Sequence, residues 1–214
     1  MYLSRVEIDV FNRKNLRELN HLGAYHSWVE DSFPEEREKT KENRTRKLWR
    51  IDIVNDKSYL LILSEVKPNL ELLEKYGIKG SAEVKNYSNL LNSLKQGMYA
   101  SFRIKLNTVI SVVDKEKSLK RGRIVPVKLE NLHSFFLNRT EKNGFFVENK
   151  GFKIVQIGED FFVKDGKKIK IVGAIYEGIL KITDLEKFKF ALINGIGRKK
   201  AYGFGLLTVI PHYE

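Results

Sequence analysis

The chain of 214 residues has no cysteine, only four prolines and two methionines, and far fewer carboxylates than cations. Without thiols there is no disulfide framework and no thiolate metal site, so the fold must rest on a packed core, and a reducing, cytoplasmic setting is expected. No window approaches eighteen consecutive apolar residues. Met1 to Val10 alternates like a strand instead of running basic, then apolar, then small, so the expectation is a protein that neither spans a membrane nor is secreted. The acidic deficit, 27 Asp and Glu against 39 Lys and Arg, leaves a formal net charge of +12 and favours a polyanionic partner such as nucleic acid. Histidine is scarce too: His21, His26, His133 and His212 share no spacing with carboxylates that suits a metal, and neither metal nor cofactor is expected. What is present suffices for a core, with 42% hydrophobic and 11% aromatic residues in one large domain or two small ones.

Alternation in "YLSRVEIDV" marks a first strand, and "NLRELN" brings Leu16 and Leu19 to helical spacing until Gly23 interrupts. "HSWVEDSFPEEREK" resumes helical character. Lys47–Val54 and Ser58–Ser64 form a hairpin across the turn signal "NDK", a short helix covers Ser88–Leu94, and "MYASFRIKL" is a strong strand. A lysine-rich connection follows, and the pattern starts again: "RIVPV" as strand, "LENLHSFFLNRTEK" as helix, and a β-rich stretch with a hairpin turn at Asp165-Gly166. A last helix, "TDLEKFKFALIN", has Thr183 as its N-cap and ends at Gly195, and the strand "GLLTVI" closes the pattern. Both halves read β-α-β-β-α-β. The expected fold class is α+β, two tandem ferredoxin-like (RRM-like) βαββαβ domains over residues 1–107 and 120–214, with 108–119 as linker.

Three basic groups stand out. "GIGRKKAYGFG" puts Gly195, Gly197, Gly203 and Gly205 around Arg198, Lys199 and Lys200, where sharp bends with bare backbone N–H groups beside cations suit a phosphate. This stretch follows a helix and precedes a strand, the reverse of the dinucleotide and P-loop arrangements, so a nucleotide cofactor is not expected. "KSLKRGRIVPVK" gathers Arg121 and Arg123, and "VKDGKKIKIV" places Lys164, Lys167, Lys168 and Lys170 at a hairpin tip. Each run alone is compatible with a solvated loop; together they point to one polyanion-binding surface. His26 follows the break at Gly23 and lies next to Tyr25. Its spacing continues the apolar face of Leu16, Leu19 and Leu22, as a core histidine would, and equally suits an imidazole at a helix edge acting as general base or acid.

Taken in order, "MYLSRV", "GAYHSWVEDSFP", "RKLWRID", "SFRIKLN", "RGRIVPV" and "GIGRKKAYGFGLLTV" resemble the CasE family, the repeat-RNA endoribonucleases of type I-E CRISPR Cascade complexes. The resemblance covers nearly the whole chain. It implies two ferredoxin-like folds and metal-independent cleavage of precursor CRISPR RNA at the 3′ base of the repeat stem-loop. It also implies retention of the product RNA and association with other Cascade subunits. The family's catalytic histidine falls on His26. Where some members carry an assisting tyrosine this chain has Gly23, which leaves Tyr25 as the nearest phenol for that role. The RNA-binding positions implied are the glycine-rich loop Gly195–Gly205 with Arg198, Lys199 and Lys200, the hairpin lysines, and Arg121 with Arg123. A catalytically silent RNA-binding scaffold would keep the same basic loops and be indifferent to His26.

Overall fold

Buried residues alternate with exposed ones along the first strand, Ser4 and Val6 pointing inward, and this period of two is what pleated backbone imposes on a half-buried strand. The structure, a computed structural model, describes residues 1–40, 42–112 and 122–213. The first unit comprises β1 (Tyr2–Glu7), α1 (Arg13–Glu18), α2 (Leu22–Asp31), α3 (Pro34–Arg37), β2 (Leu48–Val54), β3 (Lys57–Ser64), α4 (Leu70–Leu73) and β4 (Glu83–Asn86). Its strands pair antiparallel in the order β2-β3-β1-β4. The second unit follows α5 (Ser88–Ser93) and contains β5 (Tyr99–Asn107), β6 (Val109–Val112), β7 (Arg123–Pro126), α6 (Leu132–Thr140), β8 (Phe145–Phe146), β9 (Phe152–Lys164), β10 (Lys167–Ile182), α7 (Leu185–Asn194) and β11 (Leu207–Pro211). Its sheet runs β11-β5-β10-β8, with β9 also paired to β10. Both orders are those of a ferredoxin-like sheet, so the α+β class with two such domains holds. Among the described residues no helix is long and apolar enough to cross a membrane.

The division between the units is not where the sequence pattern puts it. Tyr99–Asn107, expected to close the first domain at residue 107, is instead the central strand of the second sheet, in register with Gly173–Lys181 of β10 and with β11. Its alternation, with Ala100, Phe102, Ile104 and Leu106 buried, identifies a strand but carries no information about which sheet receives it. The true fourth strand of the first sheet is Glu83–Asn86, paired to β1; four residues with one apolar side chain give almost no periodic signal. The expected linker also changes character, because Val109–Val112 pairs with Arg123–Pro126 as a two-stranded ribbon. "RIVPV" therefore does not open the second sheet. Two smaller boundaries shift as well. The first helix ends at Glu18 with Leu19 as its C-cap, and Gly23 lies inside α2 instead of at a break, while α7 is capped by Asp184, whose Oδ1 accepts from Lys187 N–H at 3.0 Å, not by Thr183.

Two large cores form, with a smaller buried cluster of Leu48, Leu63, Tyr87 and Leu206, and the second unit contributes to all three. One lies under α6 and α7, with Phe102, Phe136, Tyr176 and Phe188. The other packs Trp28 and Val29 of α2 on Val6, Trp49, Leu60 and Ile62, and it also takes in Phe162, Ile171 and Phe204 from the second unit. A buried polar tie joins the units beside it. Arg50 of β2 is 1% exposed, and all five of its N–H groups are used. Nε and one Nη2 hydrogen meet Asp52 at 2.7 Å each, Nη1 donates to the carbonyls of Arg103 (3.0 Å) and Leu206 (2.8 Å), and Nη2 also donates to Thr208 Oγ1 at 2.8 Å.

Candidate active site and RNA interface

Helix α2 starts with His21 as N-cap, its Nδ1 accepting from Ala24 N–H at 3.2 Å. Gly23 is what allows this, because a Cβ there would lie 2.9 Å from the His21 ring. From that start the helical turn carries His26 to a half-buried position facing the glycine-rich stretch. Its ring lies 5.9 Å, centroid to centroid, from Tyr202. Tyr202 in turn stacks on Phe162 of β9 at 4.1 Å, and the Lys199 ammonium lies 5.0 Å from the Phe162 ring and 5.7 Å from the Tyr202 ring. Burial pushes the His26 pKa below its ordinary value; Lys47 and Arg37 push the same way and Glu30 opposes them. A neutral imidazole, able to accept a proton at neutral pH, is the consequence.

Tyr25, the phenol expected to assist, is turned elsewhere. Adjacent helical residues point about 100° apart, and its ring stacks on Trp49 at 6.1 Å and lies against Trp28 at 6.3 Å. Burial raises its pKa. Tyr25 is a packing residue here, and the phenol on His26 is Tyr202. That residue lay inside the glycine-rich motif, but nothing in a sequence tells which ring of a loop will meet a helix from the other half of the chain.

The glycine-rich stretch is only in part the open phosphate clamp that its composition suggests. The N–H groups of Gly195 and Gly205 are used internally, donating to the carbonyls of Ala191 (2.9 Å) and Lys105 (2.8 Å). Gly203 is buried with φ +80°, and a Cβ would meet the Trp49 ring at 2.8 Å, so this glycine exists for close packing. The same indole donates its N–H to the Ala201 carbonyl at 3.1 Å. Lys200 folds back to the Asn194 carbonyl at 2.7 Å, and burial with the nearby Arg46 lowers its pKa; it ties the loop to the end of α7 instead of facing a ligand. Gly197, Arg198 and Lys199 remain exposed.

The β9–β10 hairpin turns at Asp165-Gly166, both with positive φ, as a tight two-residue turn requires. Its lysines at 164, 167, 168 and 170 are exposed. Lys168 lies 3.7 Å from the Phe161 ring, which sits 6.2 Å from His21 at the start of α2, so the hairpin brings its charge to the histidine helix. Lys170 pairs with Glu159 at 3.0 Å, which neutralises part of that charge. Arg123 stands exposed on the separate β6–β7 ribbon, and Arg121 lies outside the described residues. Sequence reasoning missed Tyr202, Phe161, Phe162, Lys47 and Glu30. Only the "FF" step before the lysine-rich hairpin tip carried a readable signal, as an aromatic pair beside cations.

The geometry has parallels. A family model described as "CRISPR associated protein" matches residues 1–211. The chain is 27% identical over 225 residues to the CRISPR-associated endoribonuclease Cse3 of Thermus thermophilus, covering 99% of this chain and all of that one. It is 32% identical over 125 residues to the CRISPR system Cascade subunit CasE of Escherichia coli, covering 55% of this chain and 61% of that one. In fold it is similar to the structure of Cse3 bound to a 19-nucleotide RNA, with a TM-score of 0.77, 22% identity and 98% of both chains covered. Two ferredoxin-like sheets in this order, a histidine helix set against a basic glycine-rich turn, and a family match over nearly the whole length lead to one assignment: the chain belongs to the CRISPR-associated protein family that includes CasE and Cse3.

Proposed function

We propose that the chain is a cytoplasmic endoribonuclease that cleaves precursor CRISPR RNA at the 3′ base of the repeat stem-loop, keeps the product bound, and joins other Cascade subunits. The observation that carries this reading is His26, half-buried with a lowered pKa and set against Tyr202 of a basic turn. Neutral His26 takes the proton of the ribose 2′-hydroxyl. The 2′-oxygen bonds to the adjacent phosphorus, the P–O5′ bond breaks, and the 5′-oxygen leaves with a proton drawn from solvent or a nearby acid. The products are a 2′,3′-cyclic phosphate and a 5′-hydroxyl. Proton transfer and charge stabilisation suffice for this step, and the proposed reaction is metal-independent.

Replacing the 2′-hydroxyl at the cleavage site by hydrogen removes the nucleophile. The expected result is binding within a few-fold of the all-ribose RNA and no cleavage; a cleaved deoxy substrate overturns the mechanism. A second expectation concerns pH. A base with a depressed pKa stays deprotonated to lower pH, so kcat/KM falls only as pH drops through a value below the about 6.5 of a free imidazole. A profile measured in EDTA that falls instead on the alkaline side assigns His26 as the acid.

Binding rests on phosphates contacted by Lys164, Lys167, Lys168, Arg198 and Lys199, with Lys170, Arg121 and Arg123 as further contacts. The groove of an A-form stem is read by shape and backbone more than by base edges.

A further inference from the structure

Three adjacent cations, Arg198, Lys199 and Lys200, look equivalent in sequence and are not equivalent in the fold. Lys200 is tied to the Asn194 carbonyl, and Arg198 is exposed. Lys199 alone of the three is held on the ring pair that touches His26. It also holds a backbone conformation that a side chain disfavours, φ +61°, in a stretch where Gly197, Gly203 and Gly205 have φ of +85°, +80° and +86°. In that region Cβ crowds the backbone of any L-residue, and glycine would adopt it without penalty. Its carbonyl accepts from Tyr202 N–H at 2.9 Å, so the turn that positions Lys199 also positions the ring beside His26.

Two other cations that act on His26 are committed to carboxylates. Lys47 is buried and pairs with Glu30 at 3.2 Å, and Arg37 pairs with Asp31 at 2.6 Å. No carboxylate pairs with Lys199 among the described residues, and it is exposed. Aromatic faces hold an ammonium in place without cancelling its charge, whereas a carboxylate would hold it and cancel it.

We propose that Lys199 is a catalytic residue whose ammonium contacts the scissile phosphate and stabilises the phosphorane formed as the 2′-oxygen adds. This deepens the reading of His26 as the proton acceptor and rests on it. The phosphodiester carries one negative charge and the phosphorane two, so a fixed cation binds the transition state more strongly than the ground state and raises the rate more than the affinity. The Tyr202 ring lies 5.9 Å from that of His26 and 5.7 Å from the Lys199 ammonium, so base and cation share one aromatic neighbour.

The test is single-turnover cleavage of a repeat stem-loop RNA at saturating protein, with filter-binding affinity and thermal melting on the same preparations. The proteins compared are wild type, Lys199→Gly, Lys199→Asn, Lys199→Arg and His26→Ala. Glycine and asparagine both accept left-handed backbone, so each removes the charge without forcing the turn. Expected for both is a rate loss of about 10²-fold or more, an affinity change of only a few-fold, and a melting temperature unchanged or raised. Lys199→Arg, which keeps the charge, recovers a large part of the rate. A rate loss no greater than the affinity loss makes Lys199 a binding contact only and overturns the proposal, as does wild-type cleavage by both neutral variants. The His26→Ala arm separates the two readings: if it is inactive while the Lys199 variants cleave normally, the inference fails alone, and if it cleaves normally, the reading of His26 fails.

Discussion

His26→Ala lowers the rate of repeat-RNA cleavage by about 10²–10⁴-fold, the usual contribution of one positioned proton-transfer group, and leaves RNA affinity within a few-fold of wild type. The groups proposed to hold phosphates, Lys164, Lys167, Lys168, Arg198 and Lys199, lie on the hairpin and the glycine-rich turn, and of these only Lys199 is linked to the imidazole, through the Tyr202 ring. His26 itself is half-buried and neutral, so truncation removes little charge and only part of a ring contact with Tyr202. Cleavage of a labelled stem-loop in EDTA, scored for cyclic-phosphate ends alongside filter binding, gives both numbers. Loss of product with affinity retained is the expected outcome. Equal rates for the two proteins would move proton transfer to another residue, and binding without cleavage by either would favour a scaffold.

The second large effect is on stability. Arg50→Ala is expected to cost about 3–5 kcal/mol, the range for removing one partner of a buried, hydrogen-bonded ion pair. Asp52 would then keep only Arg103, whose Nε reaches it at 3.0 Å, the Leu206 carbonyl would lose the guanidinium donor, and the Arg103 carbonyl would be left with the Thr208 hydroxyl at 3.3 Å. Because those carbonyls belong to the second unit and Arg50 to the first, the damage falls on the seam between the sheets. Urea unfolding of wild type and variant measures it through the transition midpoint. Arg50→Lys should recover only a minor part, since an ammonium offers three donors where the fork offers five. A midpoint unchanged in Arg50→Ala would mean that the network is neutral and that apolar contacts, those of Phe162, Ile171, Phe204 and Leu206 among them, hold the units together.

Much of the architecture was legible from local chemistry. The Asp165-Gly166 turn and the hairpin of β2 with β3 follow from turn residues between apolar runs. The end of α7 at Gly195 follows from a glycine able to take the φ of +70° found there. The site was legible in part. Spacing on α2 left His26 open between core and catalysis, and the resemblance to CasE favoured catalysis. That spacing could not show that the residue would be half-buried against a loop some 176 residues away in sequence.

What the residues determine by themselves is local: most of the longer strands and helices, where the main hairpins turn, that the composition is strongly cationic, and that no thiol chemistry takes part. Tertiary structure decided the rest, because those outcomes depend on partners distant in the chain. The pairing of Tyr99–Asn107 with β10 assigned that strand to the second sheet, although its alternation fits either. The stacking of Tyr25 on Trp49 and the tilted contact of Tyr202 with His26 set which phenol lies beside the imidazole. The Asn194 carbonyl took Lys200 and left Lys199 on the aromatic pair, giving like charges different surroundings. Periodicity reports only that a face is apolar; packing determines what that face meets.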